Sequence, residues 1–89
     1  MIGQNVLIFA GRGFAYVGHV EEMYAKGAYK LTNAGQLCYT GDVGWADIAN
    51  GLGRDQMVFR QAPQGIVYTG DMISGAFIWE GELPGQNVG

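Results

Sequence analysis

Glycine stands at sixteen positions of the sequence, and the stretches between glycines are β-branched and aromatic runs rather than helical stripes. Glycine adopts turn conformations that other residues resist, so glycines spaced by about one strand and one turn divide a chain into short strands. Strands are read at Asn5 to Ala10, Phe14 to Met23, Ala28 to Thr32, Gln36 to Thr40, Gln56 to Arg60, Gly65 to Thr69 and Ser74 to Glu80. The connections Gly11-Arg12-Gly13, Ala25-Lys26-Gly27, Asn33-Ala34-Gly35 and Gly70-Asp71 are short enough for hairpins, so consecutive strands are expected to pair antiparallel in a meander. The fold class that follows is mainly β, a small antiparallel curled sheet or barrel of about six to seven short strands with one short helix.

The helix is expected within Gly44 to Leu52, where Trp45, Ile48, Ala49 and Leu52 fall at i, i+3, i+4 and i+7. That face would plug an open end of the sheet, with Gly51 or Gly53 as its left-handed C-terminal residue. Alternation sets Phe14, Tyr16, Gly18 and Val20 on one side of their strand and Ala15, Val17, His19 and Glu21 on the other. Residues 1–89 read as a single domain. The segment from Leu83 to Gly89 has no periodicity and is expected to be a loose tail or an arm.

Only 15% of the residues are charged, against roughly 25% in an ordinary soluble domain. With so little charge, and with the apolar strand Val6-Leu7-Ile8-Phe9 expected to leave patches or an edge that a monomer would have to hide, a homo-oligomer is expected. A net charge of −3 argues against general nucleic-acid binding, which needs basic side chains to displace counterions. One cysteine and one histidine exclude an intrachain disulfide and the usual zinc ligand sets. No cofactor or metal is expected. No run approaches a membrane span, and Met1-Ile2-Gly3-Gln4-Asn5 lacks the basic start of a signal peptide, so a cytoplasmic protein with no membrane partner is expected.

Gly11-Arg12-Gly13 and Gly51-Leu52-Gly53-Arg54 place backbone amides beside a guanidinium, a combination that holds phosphate. Neither completes a nucleotide motif: Tyr16 stands where a third dinucleotide-loop glycine is needed, and the second loop lacks the P-loop lysine. Tyr16, Tyr24, Tyr29, Tyr39, Tyr68, Trp45 and Trp79 suit either a small β core or stacking on a planar base, with Arg12, Arg54 or Arg60 as counter-charge. Tyr39-Thr40-Gly41-Asp42 is repeated as Tyr68-Thr69-Gly70-Asp71. Strand-exit turn chemistry accounts for the echo; alternatively, Asp42 and Asp71 share one rim and bind a ligand's hydroxyls or ring nitrogens.

Catalytic sets are weaker. A Cys38 and His19 pair would need proximity that the spacing does not supply, and Cys38 reads as a small buried strand residue. Ser74 lies at a strand start rather than on a nucleophile elbow. Glu21 and Glu22 are adjacent and Glu80 and Glu82 flank Gly81, which suits solvated charges. The expected site is therefore a ligand-binding one, drawn from Arg12, Arg54, Arg60, Tyr39, Tyr68, Trp45, Asp42 and Asp71.

The segment from Phe14 to Ile66 resembles a family of small uncharacterised bacteriophage proteins. The resemblance lies in Val17-Gly18-His19-Val20, in Tyr29-Lys30-Leu31-Thr32-Asn33-Ala34 leading to Leu37-Cys38-Tyr39-Thr40-Gly41, and in Ile48-Ala49-Asn50-Gly51. Cys38 and Thr40 depart from it, since the family carries bulky aromatics around the tyrosine. The resemblance implies a phage accessory protein in the host cytoplasm, similar in role to host-defence antagonists that act by stoichiometric binding. Three roles follow: a homo-oligomer that sequesters a nucleotide-like immune signal, an inhibitor docked on a host defence protein, and a virion or tail component. Low charge and many glycines favour the first and the third, and the acidic balance mildly favours the second; the glycine-flanked arginines, plentiful aromatics and lack of a catalytic set make the first the leading expectation.

Overall fold

A computed structural model describes residues 2–10, 14–24, 28–70 and 73–84. Its strands are β1 (Asn5–Ala10), β2 (Phe14–Met23), β3 (Tyr29–Tyr39), β4 (Val58–Gln61), β5 (Val67–Tyr68) and β6 (Ile73–Ile78), with the helix α1 (Trp45–Ala49) between β3 and β4. Among the described residues the strands form one antiparallel sheet in the order β4-β3-β2-β1-β6, with β5 beside β3. The sheet is open rather than closed into a barrel. No described helix is long and apolar enough to cross a membrane.

β1 and β2 have the limits that their alternation predicts. The two strands expected at Ala28 to Thr32 and Gln36 to Thr40 are instead one, β3. The Asn33-Ala34-Gly35 signal produces a bulge, not a hairpin: β2 pairs Val17 with Gly35 and His19 with Thr32, so one residue of β2 faces two of β3. Asn33 takes the left-handed conformation, φ 49°, that asparagine tolerates. The chain continues because a ten-residue β2 offers hydrogen bonds to both halves of β3, whereas a hairpin would surrender one half. The bulge divides the far edge of β3. Leu31 and Lys30 there pair with β5, and Gly35 to Tyr39 pair with β4.

The meander holds from β1 to β4 and then fails. β5 pairs with β3 and β6 with β1, so the expected hairpin at Gly70-Asp71 joins strands that do not pair, and Asp71 itself lies outside the described residues. β6 also covers the edge of β1 that the apolar run was expected to expose. Val6, Leu7 and Ile8 are fully buried between two neighbours.

Both faces of the sheet carry apolar layers, as the alternation in β2 requires. Leu7, Ala15, Val17 and Leu37 meet Ile48, Ala49, Trp79 and Leu83 on the helical face. Val6, Ile8, Val20, Leu31 and Ala34 lie on the opposite face under Tyr16, Tyr29, Val67 and Ile73. The helix buries less of itself than its spacing predicts: Ile48 and Ala49 are enclosed, but Trp45 is 37% and Leu52 60% exposed. Its five residues end before Leu52, because Gly51 at φ 97° turns the chain away. Leu83, assigned to a loose tail, is core, and the Trp79 indole donates to the Glu82 carbonyl at 2.9 Å. Residues 85–89 of that tail lie outside the described ones.

Candidate functional site

The described residues among the eight expected ligand-binding ones do not converge. Arg12 and Asp71 lie outside the described residues. Tyr68 pairs with Lys30 and Tyr39 with Val58, so the tyrosines stand at opposite ends of β3, roughly 30 Å apart along the strand. Tyr39 and Tyr68 thus close their strands at opposite ends of β3. Asp42 is exposed, and its backbone amide donates to the Gln56 side-chain oxygen at a long 3.5 Å.

Arg54 belongs to the fold. Its Nε donates to the Ile48 carbonyl at 2.8 Å and its Nη2 to the Ala49 carbonyl at 2.9 Å, satisfying acceptors at the end of α1. The guanidinium lies 3.8 Å from the Trp79 ring centroid, a cation–π contact that ties the helix to the C-terminal segment. Desolvation by burial holds its pKa below the ordinary arginine value, with the Glu80 charge opposing. Lysine cannot reproduce this planar fork. Arg54→Lys is expected to cost about 1–2 kcal/mol, one charge-assisted hydrogen bond and part of the stacking. Thermal melting checks this, and an unchanged melting temperature would contradict it.

Trp45 packs edge-on against Phe9, centroids 5.2 Å apart, and Phe9 packs edge-on against Phe77 at 5.8 Å. These three form an aromatic row on the helical face, leaving the Trp45 rim to solvent. At the far end Tyr24 and Tyr68 lie 6.4 Å apart. A hydrogen bond to Glu22 raises the Tyr24 pKa, and the charge of Glu21 raises that of Lys30, whose Nζ is 3.4 Å from the Glu21 carboxylate. These paired groups at the sheet edge leave no free cation there among the described residues.

Arg60 differs. It is exposed on β4, and its side chain has no hydrogen bond or ion pair among the described residues. Register puts it directly opposite Gln36, Gln36 opposite Tyr16, and Tyr16 opposite Ile8, so these residues form one row across the face away from the helix. Tyr16 is stacked on Phe14, planes 20° apart and centroids 6.5 Å apart, and Phe14 is 50% exposed. Tyr39 and Val58, both exposed, are paired at the end of the neighbouring strands. No enclosed pocket occurs among the described residues, so a ligand at this surface rests on an open face. Phe14 was not among the expected site residues; the alternation that sets Phe14 and Tyr16 on one side of their strand was its available signal.

The remaining chemistry separates. His19 Nδ1 lies 2.8 Å from the Asn5 side-chain oxygen, and Asn5 in turn donates weakly to the Gly81 carbonyl. Cys38 is exposed rather than buried, at the bulge beside Tyr39, while His19 pairs with Thr32. Six residues of β3 separate these positions, roughly 20 Å, so the two do not form a nucleophile and base. Ser74 donates to the Phe9 carbonyl at 3.4 Å. No cluster of metal ligands occurs among the described residues. The chain matches no protein-family model, no curated protein and no solved structure.

Proposed function

We propose that this chain is a non-catalytic binding protein whose ligand is a planar, anionic, nucleotide-like molecule held on the open sheet face at Phe14, Tyr16 and Arg60. One observation carries the reading: a parallel aromatic pair lies in register with an unpaired, exposed arginine two strands away. Adjacent strands lie about 4.8 Å apart, so the rings and the guanidinium are separated by a span that a sugar bridges between base and phosphate. An aromatic stacking contact with a base contributes about 1–3 kcal/mol. A charge-assisted bond from Arg60 to phosphate contributes about 1.5–3 kcal/mol. Tyr39 borders the same surface, whereas Trp45, Arg54 and Tyr68 are directed to other parts of the fold. Sequestration of a nucleotide-like signal, the role implied by the phage resemblance, is the setting in which such stoichiometric binding would act.

Calorimetry against linear and cyclic nucleotides tests the proposal. Arg60→Ala is expected to weaken binding about tenfold or more and to flatten its salt dependence, with melting unchanged. Phe14→Ala is expected to weaken it comparably while leaving the salt dependence intact. Absence of binding by every nucleotide at about 1 mM would overturn the reading, as would indifference to Arg60→Ala. Mass spectrometry of the recovered ligand is expected to return it unchanged; a converted ligand would make the protein an enzyme instead.

A further inference from the structure

We propose that the outer edge of β6 is a self-association surface, on which β6 of a second copy pairs antiparallel about a two-fold axis perpendicular to the sheet. Among the described residues β6 pairs with β1 alone. Its other side presents backbone N–H and C=O groups to no described strand, the arrangement that templates further pairing. Proteins usually blunt such an edge with lysine, proline or another charge. Ile73–Ile78 reads Ile-Ser-Gly-Ala-Phe-Ile and has none. The opposite end of the sheet, by contrast, carries Arg60 on β4.

Large apolar side chains flank the edge on both faces. Phe77 is 40% exposed on the helical face, next to Phe9, which in turn packs on Trp45, and Ile78 is 46% exposed on the other. A perpendicular two-fold keeps the helical faces of both copies on the same side. The two Phe77–Phe9–Trp45 rows then meet across the seam, with the Ile78 side chains covering its reverse. This symmetry makes a second copy the occupant. A strand without charge meets its own copy with no like-charge opposition, and the exposed apolar groups on each face are matched by their own counterparts. The seam lies at the β6 edge, two strands from Phe14 and Tyr16 and four from Arg60 in the sheet order, so the proposal stands without the ligand.

Ala76 supplies the test because it is exposed and lies in the regular part of the strand, past the irregularity at Phe9 and Ala10 of β1. About a perpendicular two-fold centred on Ala76 or Phe77, Ala76 faces its own copy directly or on the diagonal, within about 8 Å. Sedimentation velocity of the full chain from about 5 to 200 µM is expected to show a monomer–dimer equilibrium. Ala76→Glu and Ala76→Lys are each expected to raise the dimer dissociation constant at least about tenfold, and an equimolar mixture of the two variants is expected to restore the dimer. Circular dichroism checks that each variant is folded; if either is not, Ile78→Lys gives the same readout on the same seam. A monomeric wild type, undiminished association of the charged variants, or a mixture that stays monomeric would overturn the proposal. Nucleotide binding retained by a monomeric variant would separate this seam from the Phe14, Tyr16 and Arg60 site, so each reading fails on its own measurement.

Discussion

Ile48→Ala is expected to lower stability by about 2–5 kcal/mol, the cost of a large cavity in a core that cannot collapse around it. Ile48 has no exposed surface and lies among Leu7, Val17, Leu37, Trp79 and Leu83, where sheet, helix and C-terminal segment meet. In a domain of this size such a loss lowers the melting temperature by at least about 10 °C. Trp45→Ala is expected to cost clearly less. Its ring is partly solvated, and its edge-to-face contact with Phe9 adds only about 0.5–1.5 kcal/mol beyond the buried area. Parallel thermal melts of the two variants check the ranking. A Trp45→Ala loss equal to that of Ile48→Ala would restore the tryptophan to the plug that its helical spacing suggested.

Gly35→Ala is expected to destabilise by about 3 kcal/mol or more, at or beyond the upper end of the usual cost of overpacking. A methyl group there would come within 2.3 Å of the Arg60 carbonyl oxygen, 2.6 Å of the Phe59 ring and 2.7 Å of the Gln61 Cα. Two of those three atoms are backbone and cannot rotate aside. Relief requires β4 to move from β3, which would break the pairings of Gly35 with Gln61 and Gln36 with Arg60. The arginine row would then be misplaced along with the strand. Amide hydrogen exchange checks this: protection is expected to fall first in Val58–Gln61. Unchanged protection there, with an unchanged melting temperature, would contradict it.

Gly35 also marks where a local reading of the sequence reaches its limit. Asn33-Ala34-Gly35 has the composition of a turn, and a bulge uses the same left-handed asparagine. Only the ten residues of β2 running past both sides decide between them, and that is a long-range fact. The strictly alternating strands were legible for the opposite reason. In β2, residues 14 to 20 divide cleanly between two apolar layers, so period two and burial agree. The return of β6 to β1 was not legible, because nothing within Ile73–Ile78 names its partner. The candidate site suffered similarly. Residue types suggested arginine and aromatics, but the glycines beside Arg54 pointed to the wrong one; Arg54 is consumed by two helix carbonyls, whereas the Arg60 side chain is exposed on the face away from the helix.

The pairing of Val6 with Ile78 also sets the order in which the molecule can be completed. β1, β2 and β3 are contiguous and can zip as soon as they exist, since short loops close quickly. The second side of β1 has to wait for a partner from the far end of the domain, and that closure carries the largest loop entropy in the fold. Until it happens, the most apolar strand of the chain has one bare side, open to any other strand. β6 acts as a late shutter over that side. During synthesis on a ribosome, the interval between β1 and β6 is the period of greatest exposure to misassociation, and its length is set by topology rather than by the strength of any single contact.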